Sequence, residues 1–123
     1  MKLKDDFFVI QSRSTEQNRL EYGIALNAAH SIYNLHFPNN PITPGVCLLA
    51  IVGELLSFEF GVEYTLREAA KIRYFKPVNP LENNRLKIII DLTPTNSDCL
   101  LLVSIADEKD EVAKFTLRFG RAK

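Results

Sequence analysis

The segment that decides the fold is Gly45–Phe60, GVCLLAIVGELLSFEF, in which almost every residue is apolar. Thr43 precedes it as a good N-cap, with Pro44 at the first helical position, where its missing N–H costs nothing. Gly61 follows as a C-terminal stop. The segment therefore predicts a helix of about four to five turns. A helix that is apolar all round must be covered on every side.

The remaining segments supply that cover. Phe7–Ile10 and Leu20–Leu26 predict an antiparallel hairpin joined by the polar segment Gln11–Asn18, and Ala28–Asn34 is too short for a stable helix and predicts a connecting turn. Four further strands are predicted after the helix, at Tyr64–Phe75, Arg85–Leu92, Cys99–Ala106 and Val112–Phe119. We therefore expect an α+β protein, an antiparallel sheet of about six strands wrapped around one long central helix. The edges of such a sheet often pair with a second copy, so we expect a dimer.

Composition limits the class of protein. The 123 residues, 46% of them hydrophobic, suit a single domain, 1–123. The 15 basic and 15 acidic side chains give no net charge, which argues against nucleic acid as the partner. Cys47 and Cys99 are too few for a disulfide framework and too isolated for a zinc site, so we expect reduced thiols and a cytoplasmic location. Met1–Asp6 has no signal-peptide character, and the longest apolar stretch, Val46–Gly53, is far shorter than the roughly 20 residues that span a bilayer.

The candidate chemistry lies just before the predicted helix. His36 occupies a loop that Pro38 and Pro41 make extended and stiff, whereas His30 lies in a short polar turn. The helix start offers unpaired N–H groups from Gly45 and Val46 and the positive end of the helix dipole. Such donors hold a carbonyl oxygen on which negative charge develops.

A histidine base beside these donors suits proton abstraction next to a thioester or ketone carbonyl. From spacing alone, the alternative is that His36 only caps the turn through a hydrogen bond. Cys47, in the first helical turn, is either a reactive thiolate or, as we favour, a buried small hydrophobe. A metal site formed by the histidines and nearby acids has no ligand spacing to support it.

Two motifs carry a resemblance to a known family. Residues 36–46, HFPNNPITPGV, resemble the HFPGxPxxPGV signature of the hot-dog-fold 3-hydroxyacyl-acyl carrier protein dehydratases of fatty acid synthesis. Residues 71–80, KIRYFKPVNP, are similar to the KFxxPVxPGD segment of the same family. The resemblance implies dimers with active-site tunnels at the subunit interface. On the matching positions, it implies that His36 is the catalytic histidine and that the Gly45 amide binds the thioester carbonyl.

The sequence departs from the family pattern at the acid. The family has Glu or Asp on the helix five residues after that glycine, where it serves the partner subunit's site and helps to expel the hydroxyl as water. Here that position is Ala50. Glu54 lies one turn later on the same helix face, and one hypothesis is that it substitutes for the missing acid. The alternative is a partly solvated acid or one paired with a basic side chain.

Smaller departures affect loops and surfaces. Asn39 replaces the glycine after HFP, and Leu81 and Glu82 replace Gly-Asp of the second motif, which predicts a rebuilt loop. Basic residues lie along the strand of the second motif, and they form either a surface for an acidic carrier protein or a solvated strand face. These residues are Arg67, Lys71, Arg73 and Lys76.

Three functions fit these residues. The first is a hydro-lyase that converts a 3-hydroxyacyl thioester on acyl carrier protein to the trans-2-enoyl thioester, with His36 as base and then acid, aided by Glu54 or an ordered water. The second is a hot-dog acyl thioesterase. The third is a catalytically silent acyl-binding subunit that pairs with an active paralogue. The elimination is redox-neutral and needs no cofactor, and a homodimer, a trimer of dimers and a heterodimer all remain open.

Overall fold

The computed structural model describes residues 2–35 and 40–122. In this part of the chain one antiparallel sheet has the strand order β1-β2-β4-β5-β6-β3, which confirms the predicted α+β architecture. The elements are β1 (Phe8–Glu16), β2 (Arg19–Leu26), α1 (Ile32–Leu35), α2 (Gly45–Phe60), β3 (Tyr64–Tyr74), β4 (Arg85–Pro94), β5 (Asp98–Ala106) and β6 (Glu111–Arg121).

Helix α2 has the predicted bounds, Gly45–Phe60, and packs its buried face on the sheet. It ends at Gly61, whose left-handed φ of 70° lets its N–H reach the Ser57 carbonyl at 2.9 Å. Its start differs from the prediction, because Pro44, in extended conformation, is the N-cap and no side chain caps the first turn. The Thr43 hydroxyl is unavailable for capping because it is buried and hydrogen-bonded to the Tyr33 hydroxyl.

The core lies between α2 and the inner face of the sheet. Strands β2, β4, β5 and β6 alternate buried apolar and more exposed residues, so a single face of each strand faces the helix. Burying one such Leu or Ile side chain stabilises the fold by roughly 1.5 to 3 kcal/mol. From the helix, the core receives Cys47, Leu48, Ile51, Val52, Leu55 and Leu56.

The first hairpin is longer than the sequence indicated. Polar residues of Gln11–Glu16 continue β1, pairing with β2 up to Glu16 opposite Arg19, so the turn is only Gln17 and Asn18. These polar side chains are tolerated in the strand because they are exposed. The predicted turn Ala28–Asn34 contains the start of the one-turn helix α1, which is held by Tyr33 stacked on Phe7 at 5.4 Å between ring centroids.

Strand β3 is the most exposed strand in the part of the chain that the structure describes. It ends the sheet beyond β6, two bulges interrupt its pairing, and nearly all its residues are exposed. Its apolar side chains are therefore open to solvent, among them Leu66, Ile72 and Tyr74. An eleven-residue edge strand with apolar side chains is a ready surface for pairing with another chain.

Among the described residues, no helix is long and apolar enough to cross a membrane.

Candidate active site

The first turn of α2 provides the predicted hydrogen-bond donors. The Cys47 N–H already donates to the Pro44 carbonyl at 3.0 Å, whereas the amides of Gly45 and Val46 come before the first bond inside the helix. The first turn carries no acidic side chain and no side-chain cap. Both N–H groups therefore stay available at the positive end of the helix dipole.

The two sequence motifs meet in space at this helix start. A cavity of about 360 Å³ lies in front of it, bounded by Thr43 and Gly45 from the first motif and by Tyr74–Val78 from the second. The Thr43 N–H donates to the Val78 carbonyl at 2.8 Å, so the motifs are joined through the backbone. Gly45 thus borders a pocket that both motifs build.

Tyr74 covers Gly45. A Cβ added to Gly45 would lie 2.6 Å from both Cζ and the hydroxyl oxygen of Tyr74, far inside van der Waals contact. The glycine of the motif is therefore needed for the close approach of this ring. Burial raises the pKa of Tyr74, so the phenol keeps its proton at neutral pH. No candidate role for this residue was expected from the sequence, although a tyrosine at the position of the motif's Phe was the available signal.

His36 lies outside the described residues, together with Phe37, Pro38 and Asn39, so its predicted role stays a prediction. Residues before and after the segment 36–39 are hydrogen-bonded to each other, since the hydroxyls of Tyr33 and Thr43 are 2.9 Å apart in the core. Beyond the segment, the Asn79 side-chain amide donates to Asn40 Oδ1 at 3.1 Å.

The other histidine, His30, has a structural environment. Its Nδ1 accepts the Ile32 N–H at 3.0 Å, and its Nε2 lies 3.2 Å from a carboxylate oxygen of Asp6. Its ring packs edge-on against Phe7. In the part of the chain that the structure covers, no three His, Cys, Asp or Glu side chains are grouped as a metal site.

Glu54 is occupied by the backbone of the chain's own N-terminal segment. Its two carboxylate oxygens accept the N–H groups of Leu3 and Lys4, both at 2.7 Å. These contacts favour a structural role. Glu54 is half-buried, in keeping with the alternative of a partly solvated acid, and its partners are backbone amides and not a basic side chain. Ala50, half-buried against the core, has no functional group to offer. The assignment of Glu54 as the replacement acid stays a prediction that these contacts do not favour.

Cys47 is buried at the start of α2, and burial raises the pKa of its thiol. The neutral, packed side chain fits the favoured interpretation as a small hydrophobe.

The structure separates the four basic residues of the predicted strip. Lys71 and Arg73 line a shallow cavity on the outer sheet face together with Lys114. Arg67 falls at a bulge and donates to the Arg121 carbonyl at 3.0 Å. The Lys76 amine is held by Asp107 at 2.6 Å and by Asp110 at 3.1 Å. Two bulges in β3 change which way successive side chains point along the strand.

Comparison with protein families covers most of the chain. The model of the ApeI-like family, described as ApeI dehydratase, matches residues 11–117. The chain belongs to the ApeI-like dehydratases. A comparison of this ApeI-like chain with curated proteins gives no match.

Solved structures show the fold of this ApeI-like chain. The dehydratase heterocomplex ApeI:P from Xenorhabdus doucetiae matches with a TM-score of 0.78 at 17% identity, over 92% of this chain and 97% of that one. A mutant thioesterase from Pseudomonas aeruginosa matches with a TM-score of 0.67 at 7% identity, over 94% and 81%. A hypothetical thioesterase with coenzyme A from Streptococcus pneumoniae matches with a TM-score of 0.65 at 12% identity, over 97% and 91%. The predicted hot-dog fold is confirmed, and dehydratases and thioesterases share it.

Proposed function

We propose that this ApeI-like dehydratase removes water from a 3-hydroxyacyl thioester carried on acyl carrier protein and forms the trans-2-enoyl thioester. The observation that carries the proposal is the cavity in front of Gly45, where both motif segments meet at a helix start with unpaired amides. The family supports dehydration as the reaction.

In the proposed reaction the thioester carbonyl oxygen accepts hydrogen bonds from the N–H groups of Gly45 and Val46. His36 removes the C2 proton, and the electron pair of that bond is delocalised onto the carbonyl oxygen as an enolate. The amides and the helix dipole stabilise this charge where it develops. The enolate then collapses, the C3–O bond breaks, and His36 returns the proton to the hydroxyl, which leaves as water. No cofactor enters this balance.

The leaving hydroxyl lacks the family's usual acid, because Ala50 stands at that position. An ordered water, a carboxylate of a second subunit or Glu54 would have to assist its departure. Restoring the acid with Ala50→Glu would raise the dehydration rate if the natural site is impaired. An Ala50→Gln variant of similar size is the control, and an equal gain in both would mean that packing, not the carboxylate, limits the rate.

Glu54→Gln tests the assigned acid directly. The amide keeps one acceptor oxygen for the N-terminal segment but has no carboxylate. We expect dehydration to continue at a rate near that of the wild type, because both oxygens of Glu54 are already used by backbone amides. A loss of activity with unchanged stability would restore Glu54 to the mechanism.

The proposed enzyme acts as a dimer formed along β3. The edge of β3 is unpaired in one chain, and Val46, at the start of α2, is 70% exposed. A second chain against this edge would cover these apolar side chains and enclose the cavity at Gly45. We propose a homodimer or trimer of dimers, with a heterodimer as the alternative that the heterocomplex of the Xenorhabdus doucetiae relative supports.

For the carrier protein, the described geometry favours Lys71 and Arg73, joined by Lys114, over Arg67 and Lys76. Their cluster on the outer sheet face also includes Asp91, and Lys114 pairs with Glu111 at 3.3 Å, so Lys71 and Arg73 are the cations that we assign to an acidic carrier. Arg67 lies elsewhere and Lys76 is neutralised by two aspartates. The cytoplasmic location expected from the sequence fits two free cysteines.

The decisive experiment gives the pure protein a 3-hydroxyacyl thioester and a crotonyl-type thioester while enoyl absorbance and free thiol are followed together. We expect hydration and dehydration without thiol release, and their loss in His36→Asn. Thiol release would instead support the thioesterase that the structural neighbours suggest. Binding without either reaction would support the silent subunit, and adding a candidate paralogue would then be expected to give activity.

A further inference from the structure

We propose that Tyr74 is a further catalytic residue, whose phenol O–H donates a second kind of hydrogen bond to the substrate's thioester carbonyl beside the Gly45 amide. This inference rests on the proposed function, since it assigns a group to the same carbonyl site. It adds a side chain to a donor set that otherwise consists of backbone amides.

The position of the hydroxyl carries the assignment. The Tyr74 oxygen lies 2.6 Å from the point where a Cβ of Gly45 would stand, so the phenol is over the first residue of α2. Tyr74 and Gly45 line the same cavity of about 360 Å³. Tyr74 and the Gly45 backbone therefore border the same space, and we infer that an acceptor oxygen bound at the Gly45 N–H comes within reach of the Tyr74 hydroxyl.

The ring is held on a rigid support. Tyr74 is paired with Ala113 at the end of the β3–β6 ladder, and its ring packs edge-to-face on Phe115 with centroids 5.7 Å apart. Tyr74 is 48% exposed and lines the cavity. A donor fixed in advance stabilises developing charge without reorganisation during the reaction.

Among the described residues, no group accepts a hydrogen bond from the Tyr74 hydroxyl. Within residues 2–35 and 40–122, the hydroxyls of Tyr22 and Tyr33 bond to Glu59 and Thr43, whereas the Tyr74 hydroxyl has no protein acceptor. Lys76, on the same cavity wall, is committed to Asp107 and Asp110. Tyr74 is thus the side-chain donor that the described wall offers to a carbonyl.

The role of Tyr74 needs no net proton transfer. As the C2 proton passes to His36, charge grows on the carbonyl oxygen and the O–H···O bond shortens and strengthens. When the hydroxyl leaves with the proton from His36, the carbonyl is restored and Tyr74 still holds its own proton. The hydrogen bond stabilises the enolate more than the substrate, which is the condition for accelerating the step.

The test is Tyr74→Phe, which keeps the ring on Gly45 and Phe115 and removes only the O–H. We expect kcat for dehydration to fall by about 10²-fold, the loss typical of one oxyanion donor, with KM little changed. Tyr64→Phe, at the other end of β3, is the matched control and is expected to keep the wild-type rate. A Tyr74→Phe variant with wild-type kcat would overturn the proposal.

A second measurement separates this inference from the proposed function. The infrared carbonyl stretch of ¹³C-labelled butyryl-pantetheine, which has no 3-hydroxyl to eliminate, reports the hydrogen bonds to its bound thioester oxygen. We expect a lower frequency on the wild type than on Tyr74→Phe. An inactive wild type that shows this difference would overturn the dehydratase assignment and support Tyr74 as a donor, and equal frequencies would reject Tyr74 in either case.

Discussion

Gly45 shows how one residue without a side chain shapes the candidate site. It gives its amide to the cavity and leaves room for the ring of Tyr74 above it. Most first-turn positions of a helix accept alanine, but this one is closed by an aromatic ring. The glycine is thus required by packing against Tyr74 rather than by an unusual backbone conformation.

Gly45→Ala is predicted to lower dehydratase activity at least tenfold, because the new Cβ would push the Tyr74 ring away from the donors. Steady-state kinetics measures the loss. Gly53→Ala, in the same helix, is the control, since its Cβ would meet only the edge of Phe119 at 3.2 Å and alanine favours the helix by about 1 kcal/mol. Equal activities in the two variants would contradict the tight packing at Gly45.

The buried pair Tyr33 and Thr43 is predicted to stabilise the fold. Thr43→Val leaves the Tyr33 hydroxyl buried without its protein partner, which costs about 1 to 3 kcal/mol of unfolding free energy. Adding Tyr33→Phe should recover most of this loss, because both polar groups are then absent. Urea unfolding of the two single variants and the double variant measures the coupling, and purely additive losses would contradict it.

For single residues, the sequence predicted the place of a residue in its helix or strand better than the partners of its side chain. The helix dipole and the free amides of Gly45 follow from local backbone geometry and are present as expected. Thr43 satisfies every local rule for an N-cap, yet tertiary packing gives its hydroxyl to Tyr33. The contacts of Glu54 with Leu3 and Lys4 join residues about 50 positions apart, and no local pattern encodes such a contact.

The elements themselves follow closely from hydrophobic patterning. Helix α2 begins and ends at the predicted residues because an apolar run closed by Pro44 and Gly61 has strong local boundary signals. Strand β3 ends within one residue of the predicted Phe75. The two bulges of β3 were not predictable, because they arise from its pairing with β6 and leave no mark in composition.

The N-terminal segment is predicted to depend on Glu54 in the middle of α2. Glu54→Ala removes the acceptor for the N–H groups of Leu3 and Lys4, so we expect faster amide hydrogen exchange there and a loss of about 1 to 3 kcal/mol. Hydrogen exchange followed by mass spectrometry or NMR locates the change. Glu63→Ala, just beyond the helix, is the control, and exchange that is unchanged at residues 3–8 in Glu54→Ala would contradict the anchoring role.

For the whole molecule, acid stability is predicted to depend on Lys76. The hydrogen bond from Lys76, followed by the Asp110 backbone N–H, lowers the pKa of Asp107 from 3.8 to about 2. A lowered carboxyl pKa adds stability that is complete above pH 3.8 and is lost as the pH falls to about 2.

Lys76→Met should therefore lower the free energy of unfolding at pH 7. Near pH 2 the free energies of unfolding of the variant and the wild type should be closer together than at pH 7. Urea unfolding across this range gives both curves. Lys109→Met removes a charge from the same loop without breaking the contact between Lys76 and Asp107. This control should lose as much unfolding free energy on acidification as the wild type does. If the unfolding free energies of the wild type and Lys76→Met fell in parallel as the pH is lowered, the ion pair would contribute nothing to acid stability.

The assembly is predicted to form through β3. Ile72→Glu places a charge on the exposed edge strand, where the wild-type residue is 38% exposed, and should convert the proposed dimer to monomer. Val9→Glu, on the opposite edge strand, is the control, since Val9 is similarly exposed at 44%. Light scattering after size exclusion measures the mass, and a monomeric Val9→Glu beside a dimeric Ile72→Glu would assign the interface to β1.

The open edge of β3 has an evolutionary consequence. Hydrogen bonds between strand backbones do not depend on which side chains the strands carry, so the proposed interface at this edge would accept a copy of this chain or a diverged sister chain. In a dimer of two different chains, the catalytic groups of one site would be encoded by two genes. Selection on Ala50 would then act on the pair, and one subunit would be free to lose its acid as long as its companion retained one.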